Sequence, residues 1–173
     1  NDYNIPDYDN EIKIIKYDSN LCENAGFKSS VLYKQNQACS RDKALYYFYT
    51  NNIEYDNIWF IEEDVFIPSI KTIENIDKKY GNEDLLASEF DHELINEKRT
   101  YGWHWESIDV NIKPPYVKGM ISAIRCSKKL LTYVFDHAVQ YKSLFLDELL
   151  YSYTSYTKWI NYEQYTRIID NTL

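Results

Sequence analysis

The chain is 173 residues long, 45% apolar and 17% aromatic, with 19 Lys and Arg against 27 Asp and Glu and a formal net charge of −8. That length suits one domain able to bury about two-thirds of its unfolded surface, and the apolar content excludes a disordered chain. The acidity and the lack of any basic run exclude nucleic acid as a main partner, and no stretch nears the ~20 apolar residues of a membrane span. Cys22, Cys39 and Cys126 are too few and too scattered for a disulfide framework or a thiolate zinc site, and they read as buried thiols. Asn1 in place of an initiator Met reads as the start of a domain excised from a longer chain. No Asn-X-Ser/Thr acceptor occurs, which leans toward the cytoplasm without fixing a compartment. An anionic substrate would need locally placed Arg and Lys, or a bound cation, to approach this surface.

After a polar, turn-rich start, Glu11–Tyr17 alternates as a strand does, and Asp18-Ser-Asn20 stops it. Residues 19–30 read as a loop, followed by a short extended piece at Val31–Tyr33. Ser40 is placed to cap a helix over Arg41–Thr50. Ile58-Trp-Phe-Ile61 is short and wholly apolar, as a buried central strand is. Pro68-Ser69 opens a helix carrying Ile70, Ile73, Ile76 and Tyr80 at helical spacing as far as Gly81. Leu85–Ala87 predicts a strand, and residues 89–116 read mostly as loops. Tyr116–Arg125 predicts a strand interrupted by Gly119. Ser127 caps a helix with Leu130, Leu131, Val134, Phe135, Ala138 and Val139 on one face. Asp147–Tyr156 and Tyr162–Asp170 are further helical candidates. Strands alternating with helices predict a single α/β domain whose sheet is mainly parallel.

Chemistry concentrates in Trp59-Phe-Ile-Glu-Glu-Asp-Val65, where Glu62, Glu63 and Asp64 follow a strand. Side chains alternate along extended backbone, so Glu62 and Asp64 are expected on one side. Two carboxylates so placed suit a hard divalent cation, Mg²⁺ or Mn²⁺, that leaves positions open for phosphate oxygens. The alternative is a solvated acidic turn. Tyr101-Gly-Trp-His-Trp105 places Trp103, His104 and Trp105 on a Gly-containing stretch. Indole faces stack on sugar rings and their N–H groups bond hydroxyls, whereas the other reading makes both tryptophans core residues. His104 has no second His at ligand spacing and reads more simply as a hydrogen-bonded loop residue. Asp147 and Glu148 open a predicted helix, where the dipole favours a carboxylate.

The order Ile14-Ile-Lys-Tyr-Asp18, then Ser40-Arg41-Asp-Lys-Ala, then Asn57-Ile-Trp-Phe-Ile-Glu62-Glu-Asp64 resembles the nucleotide-binding half of a GT-A-fold glycosyltransferase. The likeness is closest over residues 11–70 and looser over 85–156. It implies one Rossmann-like GT-A domain over 1–173, with a donor half at 1–85 and an acceptor half at 86–173. It also implies transfer from a nucleotide diphosphate sugar, a UDP-sugar foremost, to a hydroxyl of a glycan or protein acceptor. In that resemblance Asp64 and Glu62, an ExD version of the family's acidic motif, meet Mn²⁺ or Mg²⁺. Asp18, Arg41 and Glu63 meet the nucleotide. Gly119, in Val117-Lys-Gly-Met, lies beneath the donor sugar, and Trp103, His104 and Trp105 meet donor or acceptor sugar. Glu148, with Asp147 beside it, takes the position of the general base. Two other readings of the same residues are a non-catalytic carbohydrate-binding domain and a Mg²⁺-dependent nucleotidyltransferase. The second lacks a Gly-rich basic phosphate loop.

Overall fold

A computed structural model describes residues 20–29, 40–51, 53–95, 116–144 and 162–164. In chain order the elements are α1 (Leu21–Asn24), β1 (Lys28–Ser29), α2 (Ser40–Thr50), β2 (Asn57–Ile61) and α3 (Ile70–Lys79). They continue with β3 (Leu85–Ile95), β4 (Tyr116–Ser127), α4 (Lys128–Tyr141), β5 (Ser143–Leu144) and β6 (Tyr162–Gln164). Two serines set the helix starts. Ser69 accepts the Lys71 N–H at 3.1 Å and Ser127 accepts the Leu130 N–H at 3.1 Å, satisfying donors that have no partner within the helix. Gly26, at φ +84, takes the left-handed conformation that ends α1 and lets the Phe27 N–H reach back to the Cys22 carbonyl at 2.9 Å.

The four-stranded sheet has the order β2-β4-β3-β6, with β4 antiparallel to both β2 and β3, and β6 parallel to β3. A separate parallel pair joins β1 to β5. The expected mainly parallel, Rossmann-like sheet is therefore corrected. The helical crossover from β2 through α3 to β3 does leave those two strands running the same way. They are not neighbours, because β4 returns between them and turns both central pairings antiparallel. Hydrophobic periodicity reports the type of an element, whereas strand neighbours are decided by packing at long range.

Other expectations change with it. β2 lies at the edge of the described sheet and is only half-buried, not a buried central strand. β3 runs on to Ile95, through part of the stretch expected as loop, and β4 continues through Gly119, which pairs with Phe90. Residues 21–24 form a helical turn within the expected loop, and Tyr162–Gln164 is a strand, not the start of a helix. The expected strands at 11–17 and 31–33 and the expected helix at 147–156 lie outside the described residues.

Leu85, Leu86 and Ala87 of β3, and Ile124, Arg125 and Cys126 of β4, are all fully buried. Successive strand residues point to opposite faces, so both faces are covered here. α3 covers one: Trp59 Nε1 donates to Asp77 Oδ1 at 3.1 Å. α2 and α4 cover the other, where Phe48 meets Phe60 edge-on at 5.6 Å and Tyr49 stacks on Phe135 with ring centroids 3.5 Å apart. Beneath them, Cys22, Phe27, Phe135 and Ala138 form a buried cluster against Tyr46 and Tyr49. The predicted face of α4 is buried from Leu130 to Ala138, and Val139 is exposed.

Arg125 is 1% exposed, and its guanidinium spans three acceptors. Nη1 donates to Asp77 Oδ1 at 3.1 Å, while Nη2 donates to the carbonyls of Tyr80 at 2.7 Å and Glu83 at 2.8 Å. Removing it strands two carbonyls and leaves a buried void. Arg125→Ala is expected to cost about 3 kcal/mol in urea unfolding, the low end for a broken buried pair because the Asp77 side chain keeps 43% exposure. Arg125→Lys, which retains charge without the fork, should fall between. A loss under about 1 kcal/mol for the alanine variant would show that α3 is held by other contacts.

A second tie joins Asp84 to the start of α4: Ser127 Oγ donates to Asp84 Oδ1 at 2.6 Å, and Lys129 Nζ donates to Oδ2 at 2.9 Å. The hydrogen bond to Asp84, then its charge, holds the Lys129 ammonium above its ordinary 10.5. Burial first, then Cys126 and Tyr49, pushes the Tyr55 phenol above its ordinary 10.0. Both groups keep their protons longer folded than unfolded, so stability is intact below these ordinary values and falls as pH rises through the raised ones. Melting temperature should thus decline above about pH 10, less steeply in Tyr55→Phe. An identical slope in that variant would contradict the burial of the phenol.

Candidate acidic site at the end of β2

β2 pairs residue by residue with β4 as far as Ile61 opposite Ala123, and the Glu62 N–H adds one more bond, to the Ser122 carbonyl at 2.9 Å. The chain then leaves the strand. The Val65 N–H donates to the Glu62 carbonyl at 3.1 Å, closing a turn over Glu62-Glu63-Asp64-Val65. Glu62 and Asp64 accordingly do not share a side of extended backbone, as strand alternation would have it. Glu62 is half-buried against the sheet, and Glu63 and Asp64 are exposed. Exposed apolar side chains flank them, with Ile61 at 40%, Phe66 at 85% and Ile70 at 69%.

β4 is irregular at the same level. Between Ala87 opposite Ile124 and Glu89 opposite Met120, β3 advances two residues (87 to 89) and β4 four (124 to 120). The surplus stretch carries Ser122, which receives the Glu62 N–H. Extra residues of this kind bend a strand and re-aim its neighbours, and they are frequent beside active sites. Gly119 lies just beyond, opposite Phe90. It lies three residues from Ser122 along β4, in the direction in which β2 runs, and β3 continues past it to Ile95.

Arg41 lies in the first turn of α2. Asp18, Trp103, His104, Trp105, Asp147 and Glu148 lie outside the described residues. The described residues that flank the stretch bearing Trp103–Trp105, Ile95 and Tyr116, are Cα partners at the end of β3 and the start of β4. Among the described residues no group of three or more His, Cys, Asp or Glu side chains is gathered closely enough to hold a metal ion unaided. No helix among them is long and apolar enough to cross a membrane. Cys22 and Cys126 are buried and form no disulfide. Compared with known proteins, the chain matches no family model and no curated protein sequence.

Sequence reasoning missed the bulge in β4 and the cleft lined by Phe48, Tyr49, Ile53, Glu54, Tyr55, Lys128 and Thr132. Gly119 was the nearest signal for the irregular strand, and Tyr55, two residues before β2, for the cleft. Exposed acids in a solvated turn contribute little to folding. Glu63→Gln and Asp64→Asn should each shift unfolding free energy by less than about 0.5 kcal/mol. A larger loss in denaturant titration would assign the turn a structural task.

Proposed function

We propose that the chain is a metal-dependent glycosyltransferase that moves a sugar from a nucleotide diphosphate sugar, a UDP-sugar foremost, to an acceptor hydroxyl. The observation that carries the reading is the Glu62-Glu63-Asp64 turn at the junction of β2 and α3, bonded to the irregular stretch of β4. Loops on a rigid scaffold are where binding and catalytic groups collect.

The cation in this reading, Mg²⁺ or Mn²⁺, comes from the sequence resemblance. Such hard cations take one or two carboxylates and complete their shells with water and substrate phosphates, so no all-protein cage is needed. Glu62 and Asp64 are the ligands in this reading. When bound, the cation neutralises the diphosphate and the charge that develops on the leaving group. This answers how a chain of net charge −8 accepts an anionic donor. Glu63 and Arg41 at the nucleotide and Gly119 beneath the donor sugar likewise come only from the sequence resemblance. Asp18 at the nucleotide, Trp103, His104 and Trp105 at the sugars, and Glu148 beside Asp147 as general base enter from the sequence resemblance alone. A sugar hydroxyl is a poor nucleophile while protonated, so in an inverting transfer Glu148 takes that proton as the bond to the anomeric carbon forms and the bond from that carbon to the diphosphate oxygen breaks, releasing the nucleoside diphosphate.

Thermal shift with UDP tests the reading, because a ligand that binds only the folded state raises the melting temperature. Stabilisation by UDP should require Mn²⁺, vanish with EDTA and be lost in Asp64→Asn. Glu148→Gln should retain that stabilisation and lose about 10²–10⁴-fold in transfer rate. UDP binding that ignores both the chelator and Asp64→Asn would return the acids to a solvated turn.

A further inference from the structure

We propose that the stretch from Ile61 to Ile70, joining β2 to α3, is a docking surface for a cationic segment of another protein, one in which Lys or Arg side chains are interleaved with apolar ones. Six large apolar side chains are exposed among the described residues. Three of them, including the two most exposed, fall in this one stretch: Ile61 at 40%, Phe66 at 85% and Ile70 at 69%. The same stretch holds Glu62, Glu63 and Asp64 and no basic residue, and Lys71 follows it. Exposed apolar side chains scattered singly are ordinary, whereas a concentration of them beside charge marks an interaction site.

Backbone hydrogen bonds tie both ends of the stretch. The Glu62 N–H donates to the Ser122 carbonyl at 2.9 Å, and the Val65 N–H closes the turn onto the Glu62 carbonyl at 3.1 Å. At the other end Ser69 Oγ accepts the Lys71 N–H at 3.1 Å, where α3 begins. Between them Pro68 fixes its own φ and holds Ile67 away from helical backbone. Ties of this kind lower the entropy that a partner must remove on landing.

Charge decides which apolar partner covers Phe66 and Ile70. Glu63 and Asp64 are exposed and make no ion pair among the described residues. A second copy of the chain, docked about a two-fold axis, would set these acids against the same acids and is repelled. Anionic lipid headgroups are repelled likewise, and the net charge of −8 adds to the effect. A segment with both cationic and apolar side chains answers both features, its cations at Glu63 and Asp64 and its apolar groups over Phe66 and Ile70. Exposed ion pairs are individually weak, so the apolar contact, Phe66 foremost, supplies affinity while the carboxylates select the partner.

The experiment uses the full chain in EDTA, so that no divalent cation offsets the carboxylates and the result is independent of the nucleotide-sugar reading. Three fluorescein-labelled peptides of equal length and fixed order, composed of Lys and Leu, of Lys and Ser, and of Glu and Leu, are titrated by fluorescence anisotropy. The Lys-Leu peptide should bind saturably and about tenfold more tightly than either of the others, with backbone amide NMR shifts centred on residues 61–70. Phe66→Ser, and separately Glu63→Gln combined with Asp64→Asn, should each weaken it by about fivefold. Both variants should melt as the parent does, because the side chains changed are exposed. No saturable binding of the Lys-Leu peptide, equal binding of either other peptide, shifts centred elsewhere, or unchanged affinity in either variant overturns the proposal. A dimer in sedimentation equilibrium that Phe66→Ser dissolves also overturns it, because the occupant is then a second copy.

Discussion

A guanidinium in the middle of a sheet face organises this molecule. Arg125 sits on β4, an inner strand between β2 and β3, and reaches the last turn of α3 and the turn after it. Taking that charge out of water costs several kcal/mol, offset here by the bonds from Nη1 and Nη2, while Nε is buried with no hydrogen-bond partner. Asp77 supplies the opposite charge, and the carbonyls of Tyr80 and Glu83 take Nη2 where the helix runs out of partners of its own. A lysine cannot span these three acceptors, because its ammonium is a point and not a planar fork. The same Asp77 oxygen also receives Trp59 Nε1, so β2, β4 and α3 meet on one atom.

Position follows from that anchor. β2 is held by its ladder to β4, and α3 is held at its far end by Arg125. The chain from Glu62 to Ser69 is therefore strung between two fixed supports. Ser69 starts α3 within a few residues of the acids, and the Glu62 N–H ties the turn's first residue to Ser122. Glu63 and Asp64 on this segment remain exposed to water.

Ser69 and Ser127 were legible as helix starts because a cap acts within three residues of itself. The buried face of α4 was legible for a similar reason, since spacing along one helix reports one face. Val139 fell off that face at the last turn, where α4 ends in Lys142 at φ 51. What the residues could not disclose was the return of β4 between β2 and β3, because pairing depends on partners more than 20 positions away. Tyr162–Gln164 reads as helix by spacing and is pulled into a strand beside Leu85–Ala87 by the sheet. Arg125 had a visible signal, a lone charge in the run Ile121–Cys126. Its meaning needed the ends of α3 brought opposite. The acids after β2 were evident from their place in the sequence after the apolar run Ile58–Ile61, yet their relative directions depended on the backbone leaving the strand at Ile61.

The two ends of β2 show how one short strand supports unlike chemistry. Its exit carries three carboxylates and exposed Phe66 and Ile70, a surface whose charge invites a cation. Its entry carries three rings and an exposed Glu54–Lys128 pair of opposite charges. Both depend on the same packing, since Phe48 touches Phe60 within β2 and also Tyr55 just before it. Tyrosine makes the second surface feasible. With 18 of them the chain builds walls from rings that pack like core residues while their hydroxyls remain compatible with water.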